Sequence, residues 1–336
     1  MILYFGNVKK VNGKLQGEAI SLKMNEIYDV HLHHYIGFSR LHNIITTFTF
    51  FWKYRKGTTL VHIASYSTLA FYYAVYVAIL CKLFNKKYIT VVHGGDFPNR
   101  LNKSKFICKL FFNSAVLVIS PSNFLKHHLE LHGFKSICIP NFIPIELFNF
   151  KERSNLQPKI LWVRTFHEIY NTRMAARAIQ HLVSKYPNIK LLMVGREEDQ
   201  ELALFKECVH ELKLSNHIEI AGQLTRQEWV NRSTEYDIFI STTTIDNTPM
   251  SVIEAMALGL PVISTNVGGV PYIINSGEDG ILVENNDDLA MANAIEQLLM
   301  NPELVKKITK NGRIKAEKFS WEAVKPDWIS VLKYAR

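Results

Sequence analysis

The stretch that most constrains this chain runs from Tyr236 to Pro271. Tyr236-Asp-Ile-Phe-Ile-Ser241 reads as a buried strand, and Asp246-Asn247-Thr248-Pro249 as the loop that follows it. Thr248 is predicted to cap a short helix whose first turn holds Pro249, where a missing N–H costs nothing. Gly259 ends that helix and Pro261 prevents its resumption. Val262-Ile-Ser-Thr265 is then a short apolar strand that delivers Val267-Gly268-Gly269 to its carboxyl end.

Such a corner leaves the backbone N–H groups of Met250 and Ser251 at a helix N-terminus, where an anionic phosphate sits well. Asp246 lies just outside the helix and Glu254 about one and a half turns inside it. Two carboxylates so placed could hold different parts of one elongated ligand. An ordinary α/β loop with a solvated Asp and a helical Glu has the same spacing, so spacing alone does not choose.

The 336 residues suit two domains of roughly 150 each. With 48% apolar and 21% charged residues the chain is globular, not disordered. Met1-Ile-Leu-Tyr-Phe5 reaches Gly6 and Lys9-Lys10 at once, so it reads as a first strand and not a signal peptide. Cys81, Cys108, Cys138 and Cys208 are scattered without a Cys-x-x-Cys pair, which predicts a reduced, cytoplasmic chain with no zinc site.

The net charge of +9 is unevenly placed. Residues 1–150 carry 17 Lys/Arg against 6 Asp/Glu, and residues 151–336 carry 22 against 24. The first part also holds 26 of the 39 aromatic residues. A basic, aromatic half makes an anionic partner or an anionic membrane surface a candidate, although a solvated basic face fits the same charges. No recognition helix or RNA-binding motif is present, so nucleic acid is not expected.

Along the first half, Gly6 to Gly17 reads as the loop after the first strand, with Gly13, Lys14 and Gly17 as its only ligand candidates. Tyr28 to His34 reads as a second strand, on which His31 and His33 share a face. A metal pair is geometrically open there, but no third ligand stands at a fixed spacing, and ordinary strand histidines are the simpler reading. Phe38 to Tyr54 reads as an aromatic amphipathic helix followed by Lys53, Arg55 and Lys56, suited to a membrane surface or to packing on a sheet. The uncharged run from His62 to Cys81 has the 20 residues a bilayer span needs. It starts inside the strand Leu60–Ile63 and contains His62, Ser65, Ser67 and Thr68, so a sheet-flanking helix from Thr68 to Leu83 is expected.

Tyr88-Ile-Thr-Val-Val92 is a buried strand that runs into His93-Gly94-Gly95-Asp96. Glycines at a strand's carboxyl end let a ligand approach the backbone, and His93 can hydrogen-bond a sugar hydroxyl; a helix cap and turn would use the same residues. Val116–Ile119 with Ser120-Pro121-Ser122 is a strand and helix start. After Ile137-Cys-Ile-Pro140-Asn141, a polar linker from Glu146 to Pro158 precedes the strand Lys159–Val163. Further strands end at Gly195 and Gly222, a helix covers Gln227–Asn231, and Gly277–Val283 is a turn and strand. Helices are expected over Asp287–Leu299 and Pro302–Phe319 and after Ser320-Trp321. Alternating strands and helices argue for parallel sheets covered on both faces. The reading divides the chain at 1–150 and 151–320, with residues 321–336 returning to the first domain.

The stretch from Asp246 to Pro271 resembles the donor-sugar signature of the family-4, retaining, nucleotide-sugar-dependent glycosyltransferases. That signature is an acid, seven residues, a Glu, then Ala-Met-Ala-x-Gly-x-Pro-Val and a Gly-Gly-x-Pro loop. The resemblance implies the GT-B arrangement, an α/β fold of two Rossmann-like domains facing a cleft. Glu254 matches the acid that accepts the ribose hydroxyls. Asp246 stands where the family usually has Glu, beside the donor's anomeric carbon, and reaches one methylene less far. His93 matches the His of a His-Gly-x-Asp motif that faces the donor sugar, with Gly94, Gly95 and Asp96 on the acceptor or sugar side.

Arg164 matches the Arg that binds the diphosphate, and Asn247, Thr248, Met250 and Ser251 complete the donor loop. Glu168 is in register, but Ile169-Tyr170-Asn171 replaces the family's phosphate-binding Lys; Arg173 and Arg196 are the candidates to supply that charge. The form Arg-x-Phe-His-Glu-Ile-Tyr-Asn with Asp-Asn-Thr-Pro resembles one subgroup of these enzymes.

The implied activity is transfer of a hexose from a nucleotide-diphosphate sugar to a glycan or lipid-linked acceptor, with retention of configuration and same-face attack. A role in bacterial surface polysaccharide, such as lipopolysaccharide or capsule, on the inner face of the plasma membrane is implied with it. The family needs no Asp-x-Asp motif, and none is present, so no metal or cofactor is expected beyond the sugar nucleotide as co-substrate. A non-hydrolysing epimerase shares the two-domain fold, though its acid–base residues find no match here. The absent Lys and the Glu-to-Asp change keep a non-catalytic sugar-nucleotide or anionic-glycan binding protein open.

Overall fold

Short apolar runs that no charge interrupts are buried on both faces, and this is what parallel strands under two helical layers require. The run Ile2–Phe5 is wholly buried, as are Ile238–Ser241 and Val262–Thr265. A computed structural model describes residues 1–6, 8–11, 14–17, 19–33 and 40–335, and assigns the chain to two units. One comprises Met1–Phe142 with Val324–Arg336, the other Ile143–Ala323.

In chain order, the first unit contains β1 (Ile2–Phe5), β2 (Val8–Val11), β3 (Lys14–Gly17), α1 (Ala19–Lys23), β4 (Val30–His33) and α2 (Arg40–Tyr54). There follow β5 (Leu60–Tyr66), α3 (Ala70–Leu83), β6 (Tyr88–His93), α4 (Phe97–Lys103), α5 (Lys105–Ser114), β7 (Leu117–Ser120), α6 (Asn123–Leu131) and β8 (Ile137–Cys138). The sheet order is β4-β1-β5-β6-β7-β8, parallel throughout. The order reverses between β1 and β5.

The second unit contains β9 (Lys159–Val163), α7 (Thr172–Leu182), β10 (Lys190–Val194), α8 (Asp199–Glu211), β11 (Ile218–Gly222), α9 (Arg226–Ser233) and β12 (Ile238–Ser241). It continues with α10 (Met250–Ala257), β13 (Val262–Thr265), β14 (Ile281–Val283), α11 (Asp288–Met300), α12 (Pro302–Glu317) and the start of α13 (Trp321–Ala335). Its parallel order is β11-β10-β9-β12-β13-β14, reversing between β9 and β12. The α/β fold expected from the alternation is present in both units.

Each central strand feeds two cores by alternation. Ile160 and Trp162 pack with Phe166 and Phe205 on one face, while Leu161 packs with Phe239, Ile253 and Met256 on the other. In the first unit Leu3, Phe5, Val61 and Ile63 join Phe51 and Phe71 on one side. On the other, His62 lies between Tyr4 at 4.7 Å and Trp328 of α13 at 5.6 Å.

Two local expectations change, those for the segment after Gly6 and for the polar linker from Glu146, while the uncharged run is the strand and helix expected. The segment after Gly6 contains an antiparallel hairpin, β2 with β3, instead of a plain loop. Gly13 lies outside the described residues, as do His34, the residues up to Ser39 and the first residues of the helix expected from Phe38. The polar stretch from Glu146 packs tightly: Phe148 is fully buried, and buried Arg153 donates to the carbonyls of Leu258 at 2.8 Å and Tyr236 at 3.3 Å. Among the described residues no helix is long and apolar enough to cross a membrane.

His31 and His33 do share a face, but toward α2. His33 stacks on Phe5 at 5.4 Å and meets Phe50 edge-on at 5.0 Å, and His31 lies 4.5 Å from the Tyr54 ring. All four cysteines are free thiols, and burial pushes the thiols of Cys108 and Cys138 up to about 11.

Candidate active site

In open α/β sheets ligands settle at the carboxyl edge where the strand order reverses. In the second unit that place lies between β9, followed by Arg164, and β12, followed by the Asp246 loop. The two residues meet there: Arg164 Nη2 donates to Asp246 Oδ2 at 2.5 Å, with both side chains largely buried. The Arg164 guanidinium also lies 5.1 Å from the Tyr170 ring centre. Burial pushes the Tyr170 hydroxyl up, and Arg164 pulls against that shift.

A run of threonines at the end of β12 fixes the segment that carries Tyr170. Thr242 Oγ1 donates to the Tyr170 carbonyl at 2.7 Å, and the Thr244 backbone N–H to that of Ile169 at 2.7 Å. Trp162 Nε1 holds the Thr242 hydroxyl from below at 3.1 Å. Asn171 adopts a left-handed conformation with φ of 46° and caps α7 by accepting from the Met174 N–H. The Ile169-Tyr170-Asn171 segment therefore turns the chain into α7 and lays an aromatic ring against Arg164.

Helix α10 begins one residue later than capping by Thr248 requires. Pro249, with ψ of 98°, is the N-cap, and no side chain caps the helix. Thr248 and Asn247 are buried in the loop ahead of it. The N–H groups of Met250 and Ser251 fall in the first turn, where no carbonyl inside the helix can reach them. Ser251 Oγ and Arg164 Nε are both buried without a hydrogen-bond partner among the described residues. Unsatisfied donors of this kind are costly unless a ligand meets them.

Glu254 is 5% exposed and accepts from Arg226 Nε at 3.1 Å. Burial pushes its carboxyl above the usual range, while Arg226 and then Arg164 pull against that shift. Arg226 is the site residue that motif reading does not find. It is the first residue of α9, behind a Thr225–Glu228 capping box that fixes where the helix starts.

The glycines of the second loop permit a backbone-on-backbone contact. Gly269 N–H donates to the Asp246 carbonyl at 2.8 Å. A Cβ on Gly268 would lie 2.2 Å from the Asp246 oxygen, and one on Gly269 1.8 Å from that of Asn247.

Of the two arginines considered for the missing Lys, Arg173 is exposed on α7 and acts electrostatically on Cys208 of α8, away from Arg164. Arg196 follows β10 on the site's own edge; its carbonyl accepts from Phe166 at 2.8 Å and its side chain pairs with Glu198 at 3.3 Å. His93, Gly94, Gly95 and Asp96 belong to the first unit. There His93 stacks on Tyr66 at 5.3 Å, Gly94 has φ of 100° beside Ser67, and Asp96 is the N-cap of α4 and accepts from Asn99 at 2.5 Å.

An uncharacterized glycosyltransferase of Methanocaldococcus jannaschii is 26% identical over 272 residues, covering 80% of this chain and 73% of that protein. The amylovoran biosynthesis glycosyltransferase AmsK of Erwinia amylovora is 28% identical over 249 residues, covering 70% of this chain and 61% of its own length. The crystal structure of Anabaena HepE in complex with UDP-glucose superposes with a TM-score of 0.76 at 15% identity, covering 99% of each chain. That likeness carries the fold, the GT-B class. The model of the family "Glycosyl transferases group 1" matches residues 145–315, which is half of the chain and includes Arg164, Arg226, Asp246 and Glu254. The chain belongs to the glycosyl transferases group 1 family.

Proposed function

We propose that this protein transfers a hexose from a nucleotide-diphosphate sugar to a glycan or lipid-linked acceptor with retention of configuration. The observation that carries the reading is the carboxyl edge between β9 and β12. There the Arg164 guanidinium, with its Nε unsatisfied, an uncapped helix N-terminus and the unsatisfied Ser251 hydroxyl stand beside the buried Glu254 carboxyl that Arg226 holds. A sugar nucleotide offers a diphosphate to the first group and ribose hydroxyls to the second. A solved structure of this fold holds UDP-glucose.

In this reading the anomeric C–O bond to the diphosphate breaks as the acceptor oxygen bonds to the same face of the sugar. The acceptor's proton passes to the departing phosphate oxygen. Arg164 and the N–H groups of Met250 and Ser251 meet the charge that develops on the leaving group. When the diphosphate arrives, Arg164 exchanges its Asp246 partner for phosphate oxygens and frees the Asp246 carboxylate for a sugar hydroxyl. Glu254 takes the ribose hydroxyls with Arg226 holding its second face. The role proposed for His93 is a hydrogen bond to a sugar hydroxyl, and for Arg196 the charge that Lys supplies elsewhere in the family. Arginine and backbone N–H groups do the neutralising, so no divalent cation is required.

Surface-polysaccharide synthesis is the proposed setting, supported by similarity to the lipopolysaccharide core biosynthesis glycosyltransferase LpsE of Rhizobium meliloti. Attachment to the inner face of the plasma membrane is proposed from α2. Leu41, Ile44, Ile45 and Trp52 are 45–66% exposed there, and the Arg55 guanidinium lies 3.4 Å from the Trp52 ring centre.

The test is the anomeric configuration of the product, read by NMR, with turnover measured in excess chelator. Retention in undiminished turnover supports the reading; inversion, or turnover abolished by chelator, overturns the corresponding part of it. Failure to bind anionic liposomes at low salt would remove the membrane proposal.

A further inference from the structure

The first unit has its own switch point, between β1 and β5, and a cavity of about 630 Å³ opens there. Its described lining includes Gly6 after β1, Tyr66 at the end of β5, Ile44 of α2, and Tyr72, Tyr73 and Tyr76 of α3. None of the described lining residues is charged. Two of the tyrosine hydroxyls are already engaged inside the protein. Tyr73 Oη shares a hydrogen bond of 2.8 Å with Thr47, and Tyr76 Oη donates to the Ile44 carbonyl at 3.1 Å. What these side chains present to the cavity is ring surface.

Such a wall suits an apolar chain. Asn43 and Thr68 are the polar exceptions in this lining, too few to meet the many hydroxyls of a free glycan, and burying those without partners is costly. The apolar surface also continues outward, since Ile44, Leu69 and Tyr72 are 45%, 68% and 44% exposed at the rim. A cation stands beside this neutral cavity. Arg100 of α4 donates through Nε to the Ser67 carbonyl at 2.8 Å, and its guanidinium lies 5.5 Å from the Tyr72 ring centre. It has no carboxylate partner among the described residues. The His93 ring stacks at 5.3 Å on Tyr66, which lines the same cavity.

We infer that the cavity receives the apolar chain of the acceptor and that Arg100 receives the anionic group at its head. The acceptor is then an amphiphile, a lipid carrying a phosphate or phosphodiester, and not a free sugar. This rests on the glycosyltransferase reading above and names the acceptor class that reading left open.

The experiment uses the full chain and farnesyl phosphate as the probe, with farnesol, inorganic phosphate and maltotriose as comparison ligands, all by calorimetry. Ala70 lines the cavity but is exposed on the first turn of α3, so Ala70→Trp fills the cavity from a position that leaves the core intact. Farnesyl phosphate should bind the wild type, and Ala70→Trp should weaken it at least tenfold. Arg100→Gln should reduce it to the affinity of farnesol, while Arg100→Lys keeps most of it; that pair separates lost charge from a damaged fold. Inorganic phosphate alone should not compete, which assigns the anion to the lipid and not to free phosphate.

Binding of farnesyl phosphate that ignores Ala70→Trp would overturn the inference. So would no binding, or tighter binding of maltotriose that Ala70→Trp abolishes. UDP binding is measured in parallel and should be equal in all variants, because its proposed site lies in the second unit. A wild type that binds farnesyl phosphate but no sugar nucleotide would sink the transferase reading and leave the lipid site standing.

Discussion

Gly269 tests whether the donor loop is held by backbone contact. Its φ is −87°, a conformation alanine adopts freely, so the cost of Gly269→Ala is purely steric. The new Cβ would start 1.8 Å from the Asn247 oxygen, where ordinary contact begins at 3.4 Å, and the neighbour is backbone. The two loops must part by roughly 1.5 Å, which also breaks the Gly269–Asp246 hydrogen bond. Overpacking costs about 1–3 kcal/mol and the lost hydrogen bond about 1 more, so about 2–4 kcal/mol in all. For a unit of this size that is a fall in Tm of about 5–15 °C by calorimetry. Displacing Asp246 and Asn247 by an ångström or more should lower kcat/KM about 100-fold.

Gly277 is the control. It has φ of 79° and nothing within 4 Å of an added Cβ, so Gly277→Ala costs about 1–2 kcal/mol of strain and leaves turnover unchanged. Gly277→Asn should recover much of that loss, while Gly269→Asn should not. A Gly269→Ala protein with wild-type Tm and turnover would refute the clamped loop.

Further predictions follow from buried charge. Arg153→Ala removes the donor from the Leu258 and Tyr236 carbonyls and leaves Asp237 with the Gln157 N–H but no cation, for a loss of about 3 kcal/mol in urea unfolding; Arg153→Lys should recover only part. Glu254 has a folded pKa raised by burial, so its contribution to stability is complete below its unfolded pKa and is lost as pH rises through the folded value. The stability of wild type relative to Glu254→Gln should therefore decline as pH rises from the ordinary carboxylate range, about 4, through the raised folded value, measured by denaturant titration at each pH. Asp288 behaves oppositely. Although burial opposes ionisation, its hydrogen bonds from Arg177 and His181 hold the carboxyl below its usual value, so the stability it supplies is lost on acidification, and Asp288→Asn should flatten the acid limb.

The parts of this molecule that could be read from the chain are those in which neighbours in sequence do the work. Lys159–Val163, Ile238–Ser241 and Val262–Thr265 are strands because each is a short apolar run closed by a turn. Gly259 ends α10 with φ of 73°, and Leu260 N–H closes back on Ala255 at 3.0 Å, as the glycine predicts. The hairpin of β2 and β3 was also legible: Asn12-Gly13 between two runs is a strong hairpin signal, and reading only for ligand-binding glycines passes over it.

What was not legible is what long-range packing decides. Arg226 and Glu254 are 28 residues apart, Arg164 and Asp246 82. No periodicity joins them; the strand order at the switch point does. The stretch after Glu146 looks polar by composition, yet Phe148 packs in the second core with Trp229 and Phe239, and Arg153 is buried where the carbonyls of Leu258 and Tyr236 need a donor. Thr248 illustrates a smaller failure. Its hydroxyl suits a cap, but Pro249 takes the N-cap position, which leaves the first turn open toward the face where a phosphate is proposed.

The measurement that bears most directly on the central claim is a mass-spectrometric turnover assay with UDP-, GDP- and ADP-sugars, with and without an extracted glycolipid pool, comparing wild type with Glu254→Ala. The account predicts release of one nucleoside diphosphate only when acceptor is present, lost in Glu254→Ala. Donor conversion without acceptor, or full turnover by Glu254→Ala, would contradict it.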